Sequence, residues 1–183
     1  EYGCKIIGVS DISGGLYAPD GFDVEELFDY NYEHRTIDGY QYGKKITNEE
    51  LLALECDFLI PAALGSAINE DNVDSLNCKI IIEAANGPVT GEAADKLWKK
   101  KIAIIPDILT NAGGVTVSYF EWVQNLQQFK WLEDEINQKL EQKMVAAFNE
   151  VYSVKQNKNV PMRIASFMVA IDRVSTAYNL REG

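Results

Sequence analysis

Four short apolar stretches set the frame of this sequence: Lys5-Ile6-Ile7-Gly8-Val9, Asp57-Phe58-Leu59-Ile60-Pro61, Lys79-Ile80-Ile81-Ile82-Glu83 and Ile102-Ala103-Ile104-Ile105-Pro106. Their apolar residues are continuous instead of alternating, the pattern of strands buried on both faces of a parallel sheet. They are too short for buried helices. Helix-like or turn-rich segments separate them. This alternation predicts an α/β fold, with one mostly parallel sheet holding all four runs and helices on both faces.

The segments between the runs carry their own signals. Gly14-Gly15-Leu16-Tyr17-Ala18-Pro19-Asp20-Gly21 is dense in turn residues. Asp23 with Glu26, and Thr47 with Glu50, have capping-box spacing. The second pair predicts a short helix from about Asn48 to Leu54. Residues 69–76 and 91–100 read as two more. After Asp107 the character changes, because Val115 to Tyr152 contains neither Pro nor Gly. A long helix is expected after Gly114, with a break near Gln127-Gln128. Leu132, Ile136, Leu140, Met144 and Phe148 recur every fourth residue, a helical stripe facing a core. Pro161 precedes a final helix that carries Ile164, Phe167, Met168, Ile171 and Val174.

At 183 residues the chain suits one domain with a helical appendage, large enough for a core without disulfides. A net charge of −11 and the absence of a long basic run argue against nucleic acid as a partner. Lys99-Lys100-Lys101 reads as a solvated helix end. No apolar run reaches the ~18 residues of a membrane span, so no membrane partner is expected. Cys4, Cys56 and Cys78 each open an apolar run and read as small buried hydrophobes. With one histidine, His34, in a polar stretch and no Cys-x-x-Cys, no metal site is expected. Trp98, Trp122 and Trp131 read as packing residues. Free cysteines and the absence of a signal peptide give a cytoplasmic expectation. The opening Glu1-Tyr2-Gly3, without an initiator Met, reads as the start of a fragment or a cleavage product.

Ligands of doubly wound sheets bind beyond the carboxyl ends of the strands. The residues after each run are therefore the site candidates. The first run ends at Asp11. An acid at the end of a dinucleotide fold's second strand accepts from ribose hydroxyls, but the Gly-x-Gly-x-x-Gly loop that should precede it is absent. A lone Asp at a strand end is ordinarily a turn former. The second run leads into Ala62-Ala63-Leu64-Gly65, where small side chains admit either a flat ligand or a closely packed helix. The third leads to Asn86, whose amide could serve ribose hydroxyls or simply an Asn-Gly turn. The fourth leads to Asn111-Ala112-Gly113-Gly114. This is either a helix start with free N–H groups for an anion or carboxamide, or a flexible link. No Ser/His/Asp or Cys/His arrangement is supported by the spacing.

Taken together, these blocks resemble the glutamate dehydrogenases of the glutamate/leucine/phenylalanine/valine dehydrogenase family. The stretches that carry the resemblance are Val9-Ser10-Asp11 with Gly14 to Gly21, Leu59 to Leu64, Glu83-Ala84-Ala85-Asn86-Gly87-Pro88, and above all Pro106 through Gln127. The blocks follow the family's order along nearly the whole chain. The resemblance implies a Rossmann-like nucleotide-binding domain in residues 1–114, and a helical segment in 115–183 packing on it and on an N-terminal domain upstream. It implies interconversion of L-glutamate with 2-oxoglutarate and ammonia, using NAD or NADP, in a homo-hexamer. Asp11, Ala62, Ala63, Asn86 and Asn111 would bind the cofactor. Val115 and Ser118 would face the substrate. No catalytic residue is expected here, since the family's catalytic Lys and Asp lie in the N-terminal domain, so the fragment alone should be inactive. Ala84 departs from the family's usual Gly and narrows the approach to the backbone. The family's first strand and glycine-rich turn are missing. A leucine, phenylalanine or valine dehydrogenase shares the Asn-Ala-Gly-Gly region, although Tyr119-Phe120-Glu121-Trp122 favours glutamate. A non-catalytic binding or assembly module is the reading from another class.

Overall fold

The structure, a computed structural model, describes residues 3–182. The chain divides into two compact units, Glu1–Leu59 with Glu70–Lys79, and Ile60–Asn69 with Ile80–Gly183.

In the first unit, β1 (Gly8–Asp11), β2 (Gly14–Tyr17) and β3 (Lys44–Ile46) form an antiparallel sheet in that order. The expectation that all four runs share one parallel sheet is thus corrected for the first. Only Ile12 and Ser13 link Asp11 to Gly14, and so short a link can only return the chain as a hairpin. Asp11 closes this turn by accepting from the Ser13 N–H at 2.7 Å. Gly14 takes φ +129°, which favours glycine.

Helix α1 (Val24–His34) begins where Asp23 accepts from the N–H groups of Glu25 and Glu26. Helix α2 (Asn48–Leu52) has the full capping box. Thr47 Oγ1 accepts from the Glu50 N–H, and Glu50 Oε2 from the Thr47 N–H. Leu16, Ala18, Phe22, Leu27, Ile37 and Tyr40 make this unit's core, with Val9 and Tyr30 against it.

The other three runs form a parallel sheet of β4 (Cys56–Leu59), β5 (Cys78–Ile82) and β6 (Ala103–Ile105), in the order β4-β5-β6. Ile80 pairs with Ala103 and Ile82 with Ile105. Helix α3 (Gly91–Lys99) connects β5 to β6, capped by Thr90 and burying Ala93 and Leu97. Residues 70–75 form turns instead of the expected helix. Asn, Asp and Ser dominate there, and such side chains compete with helical bonds. Ser75 Oγ, for example, donates to the Asn72 carbonyl at 2.8 Å.

Four helices follow: α4 (Asp107–Thr110), α5 (Ala112–Gln127), α6 (Glu133–Lys158) and α7 (Met162–Glu182). The expected break falls at Gln128, in a left-handed conformation with φ +53°. Leu109, Val151, Met162, Ala165 and Val169 form the core here. The stripe on α6 departs in part from expectation. On α6, Ile136, Leu140 and Met144 are half-buried, but Leu132 and Phe148 are exposed. On α7, Ile164, Phe167, Met168, Ile171 and Val174 are all exposed, and the opposite, smaller residues are buried. Trp98 and Trp122 are exposed, whereas Trp131 packs on Phe120. Cys4 is exposed and Cys78 buried. Among the described residues, no helix is long and apolar enough to cross a membrane. Among them, too, no cluster of His, Cys, Asp and Glu suits a metal.

Candidate functional site

The second unit holds an open cavity of about 520 Å³, lined by Ala63, Leu64, Gly65, Ala84, Ala85, Asn86 and Asn111. Its wall is made by the loops at the strand ends. The N–H groups of Ala84 and Ala85 both donate to the Pro61 carbonyl, at 3.1 and 2.9 Å, tying two of these loops together. Gly65 lies so close to the loop after β5 that a Cβ there would sit 3.3 Å from the Asn86 carbonyl oxygen. Small side chains leave the backbone open to a flat ligand.

The polar groups are paired across the cavity. Asn111 Nδ2 donates to Asn86 Oδ1 at 2.7 Å and approaches the Ala84 carbonyl at 3.4 Å. The contact with the Ala84 carbonyl fixes which end of the Asn111 amide faces inward. One amide donor group, on Asn86, and one amide acceptor, on Asn111, remain for a ligand.

A charged cluster supports this loop. Glu83 is fully buried at the end of β5. Its carboxylate accepts from Arg163 Nη2 at 2.5 and 2.7 Å and from the Asp107 N–H at 2.9 Å. Burial pushes the Glu83 carboxyl above its ordinary value, against the pull of the Asp107 N–H and the Arg163 charge. All these partners are donors, so the ionised form is the one that fits. Asp107 Oδ2 accepts from the Gly87 N–H at 2.7 Å, next to Asn86. Removing one partner of such a buried pair costs ~3–5 kcal/mol.

The structure thus brings Ala63, Asn86 and Asn111 together, with Ala62 exposed beside them and outside the cavity lining. Val115 and Ser118 stand one turn apart on the exposed face of α5, beyond Asn111. Ser118 Oγ donates to the Gly114 carbonyl of its own helix at 3.1 Å, which leaves its lone pairs open.

Asp11 belongs to the first unit. Its Oδ1 accepts from the Ser13 N–H and hydroxyl, and its Oδ2 from the Ile37 N–H at 2.8 Å and the Thr36 hydroxyl at 3.1 Å. Partial burial raises the Asp11 carboxyl, but the bonds from Ser13, Ile37 and Thr36 outweigh it and hold the group below its ordinary value. His34 is exposed and stacks on Tyr30 at 4.1 Å.

Sequence reasoning missed Glu83, Asp107 and Arg163. A signal was available: a carboxylate directly after three isoleucines, at the end of a buried strand, needs a cation or several donors.

The second unit is thus of the α/β class, with small residues and paired amides at its strand ends. The comparisons narrow it. The family model for glutamate/leucine/phenylalanine/valine dehydrogenases matches residues 1–182, and the chain belongs to this family. It is 52% identical to a glutamate dehydrogenase of Thermotoga maritima, across 99% of this chain and 44% of that protein. It is 45% identical to a cryptic catabolic NAD-specific glutamate dehydrogenase of Bacillus subtilis, across 99% of this chain and 42% of that protein. The chain therefore spans less than half the length of the curated relatives it matches. Among solved structures it is similar to the hetero-hexameric glutamate dehydrogenase of Thermus thermophilus, with TM-score 0.89 and 28% identity, covering 97% of this chain and 42% of that one. It is also similar to the glutamate dehydrogenase of Peptoniphilus asaccharolyticus, with TM-score 0.80 and 35% identity, covering 98% and 41%.

Proposed function

We propose that this chain is the cofactor-binding part of an amino-acid dehydrogenase that deaminates L-glutamate to 2-oxoglutarate and ammonia with NAD or NADP. The observation that carries the reading is the Asn86–Asn111 hydrogen bond beside a cavity walled by Ala63, Gly65, Ala84 and Ala85. A nicotinamide dinucleotide fits this donor set, because one free amide donor and one free acceptor complement ribose hydroxyls or a carboxamide. The names of the relatives support glutamate and NAD.

When bound, the dinucleotide supplies hydride exchange; the protein binds, orients and excludes water. Asn86 and Asn111 orient the ligand by hydrogen bonding, and Ala63, Ala84 and Ala85 keep the wall small. Val115 and Ser118 are assigned to the substrate side, where the Ser118 hydroxyl turns from the Gly114 carbonyl to donate to a substrate carboxylate. Asp11 is assigned to the adenosine ribose. It is an ionised acceptor, and two of its four donors are hydroxyls that can turn to other partners. The full-length protein is assigned a homo-hexamer, to be read by light scattering.

The test is titration of the full-length protein with NADH, followed by fluorescence, alongside glutamate-dependent NAD(P)H production. Saturable binding weakened by Asn86→Ala or Asn111→Ala, with turnover on glutamate exceeding that on leucine, valine or phenylalanine, is the expected result. Binding indifferent to both substitutions, or preference for a branched or aromatic substrate, overturns it. The isolated 183-residue chain should show no turnover.

A further inference from the structure

We infer that Glu83 is a positioning residue for dinucleotide binding: paired with Arg163, it holds the start of α4, and through Asp107 it holds the loop that carries Asn86. This rests on the reading of the cavity as the dinucleotide site.

The geometry is a chain of contacts from α7 to the cavity. Arg163, at the start of α7, donates to both Glu83 oxygens. Glu83 Oε2 also accepts from the Asp107 N–H, which opens α4. The Asp107 carboxylate reaches back across the strand ends, with Oδ2 accepting from the Gly87 N–H at 2.7 Å. Its Oδ1 accepts from the Ile108 N–H and lies 3.9 Å from Arg163 Nη1. Gly87 sits at φ +56°, the conformation that turns the loop beside Asn86. On its other side the Gly87 carbonyl accepts from the Ser66 N–H at 2.8 Å. The Asn86–Gly87 loop is thus gripped from two directions, and Asn86 meets Asn111 between them.

Stability alone gives a weak reason for this cluster. A buried ion pair contributes little over well-packed apolar residues of the same volume. What an apolar trio could not do is direct backbone N–H groups. Each carboxylate here serves one N–H from a different element, Asp107 for Glu83 and Gly87 for Asp107. A displacement of about 1 Å in a binding group can cost as much as ~100-fold in an enzyme's rate, so fixing Asn86 is a specific task. Glu83 touches no cavity surface and is completely buried, so its effect on the ligand must pass through the loop.

The experiment is a double-mutant cycle on the full-length protein, with NADH Kd as the readout. The variants are Glu83→Gln, Asn86→Ala and the pair. Gln keeps the shape but places an N–H2 group against Arg163 or the Asp107 N–H. About a tenfold rise in Kd is expected for each single variant, and the pair should match Asn86→Ala instead of multiplying to about a hundredfold. An unchanged Kd in Glu83→Gln, or multiplicative effects, overturns the inference, because a residue that only supports the fold would act independently of Asn86. If Glu83→Gln does not fold, Arg163→Lys replaces it in the same cycle. It keeps the charge and removes the two-oxygen grip, and the same non-additivity is expected. No saturable NADH binding by the wild type, or an Asn86→Ala variant that binds as the wild type does, refutes the reading of the cavity. Wild-type binding weakened by Asn86→Ala together with an additive cycle refutes the role of Glu83 alone.

Discussion

Removing the Asp11 carboxylate should loosen the segment around Ile37 by an amount that depends on the replacement. In the first unit Asp11 accepts two backbone N–H groups, from exposed Ser13 and from buried Ile37, plus two hydroxyls. Ala removes both acceptor oxygens and with them all four bonds. The Ser13 N–H can turn to water, but the Ile37 N–H has no such outlet. A lost bond to a charged acceptor with the donor left stranded costs ~2–3 kcal/mol, about 30- to 150-fold in a local opening equilibrium. Asn differs, because its single carbonyl can rotate to serve Ile37 and leave Ser13 to water. Only the charge assistance is lost, ~1 kcal/mol or less than about tenfold. The assay is amide hydrogen exchange at Ile37 in the full-length protein, compared for wild type, Asp11→Asn and Asp11→Ala. Acid should act in the same direction. The folded carboxyl lies below its ordinary value of 3.8, so its contribution is complete above that value. The contribution is lost only as pH falls through the lower, folded value. Equal exchange at Ile37 in wild type and Asp11→Ala would show that the carboxylate does not hold this segment. Equal acceleration by Asn and Ala would refute the rotation argument.

Ser118→Ala should raise the glutamate KM of the full-length protein roughly 10- to 150-fold, matching a charge-assisted bond of ~1.5–3 kcal/mol, with NADH Kd unchanged; a shift in Kd alone contradicts it. Asp11→Ser should move the ratio of NAD to NADP KM values toward NADP, since two negative groups ~4 Å apart repel by about 1 kcal/mol in water and by more when partly buried. A ratio that does not move means that Asp11 does not face the adenosine ribose. The Cys78 thiol, pushed up to about 11 chiefly by burial, should resist alkylation at neutral pH while exposed Cys4 reacts, as read by mass spectrometry. Equal labelling before unfolding counts against the burial of Cys78.

The parts of the fold that were legible in the sequence are those that local physics decides. Thr47 with Glu50 gave α2 its start, and the capping box is present at that position. The continuous runs at 57–61, 79–83 and 102–106 became β4, β5 and β6. Run composition says that a strand is buried, not which strand it pairs with. Two residues, Ile12 and Ser13, decided that for β1, and a two-residue link weighs little against a five-residue run. The site was half legible for the same reason. Asn86 and Asn111 stood out as amides after strands, and they meet. Glu83 and Arg163 lie 80 positions apart, and no local pattern joins them; only the cost of burying a lone carboxylate could have pointed from one to the other.

Helix α7 shows most directly where hydrophobic periodicity stops being a guide. It carries two helical stripes. Ile164, Phe167, Met168, Ile171 and Val174 form the larger and more apolar one, and it is exposed. Met162, Ala165, Ser166 and Val169 form the other, and it is buried, with Ala165 at 0% exposure. A pattern reading ranks stripes by apolar area and selects the first. Packing ranks them by how closely the helix axes can approach, and here α7 lies against α6, whose Ala147, Val151 and Val154 join the same cluster. Small residues allow that approach, and large ones would hold the helices apart. Ser166 counts as polar on any scale, yet its hydroxyl donates to the Met162 carbonyl one turn back at 2.9 Å, so its burial leaves no donor unmet. Once that internal bond is counted, the Ala165-Ser166 face behaves as an apolar surface of unusually low relief. The face of α7 that packs on α6 is therefore set by shape and hydrogen-bond closure, two properties that a hydropathy pattern does not contain.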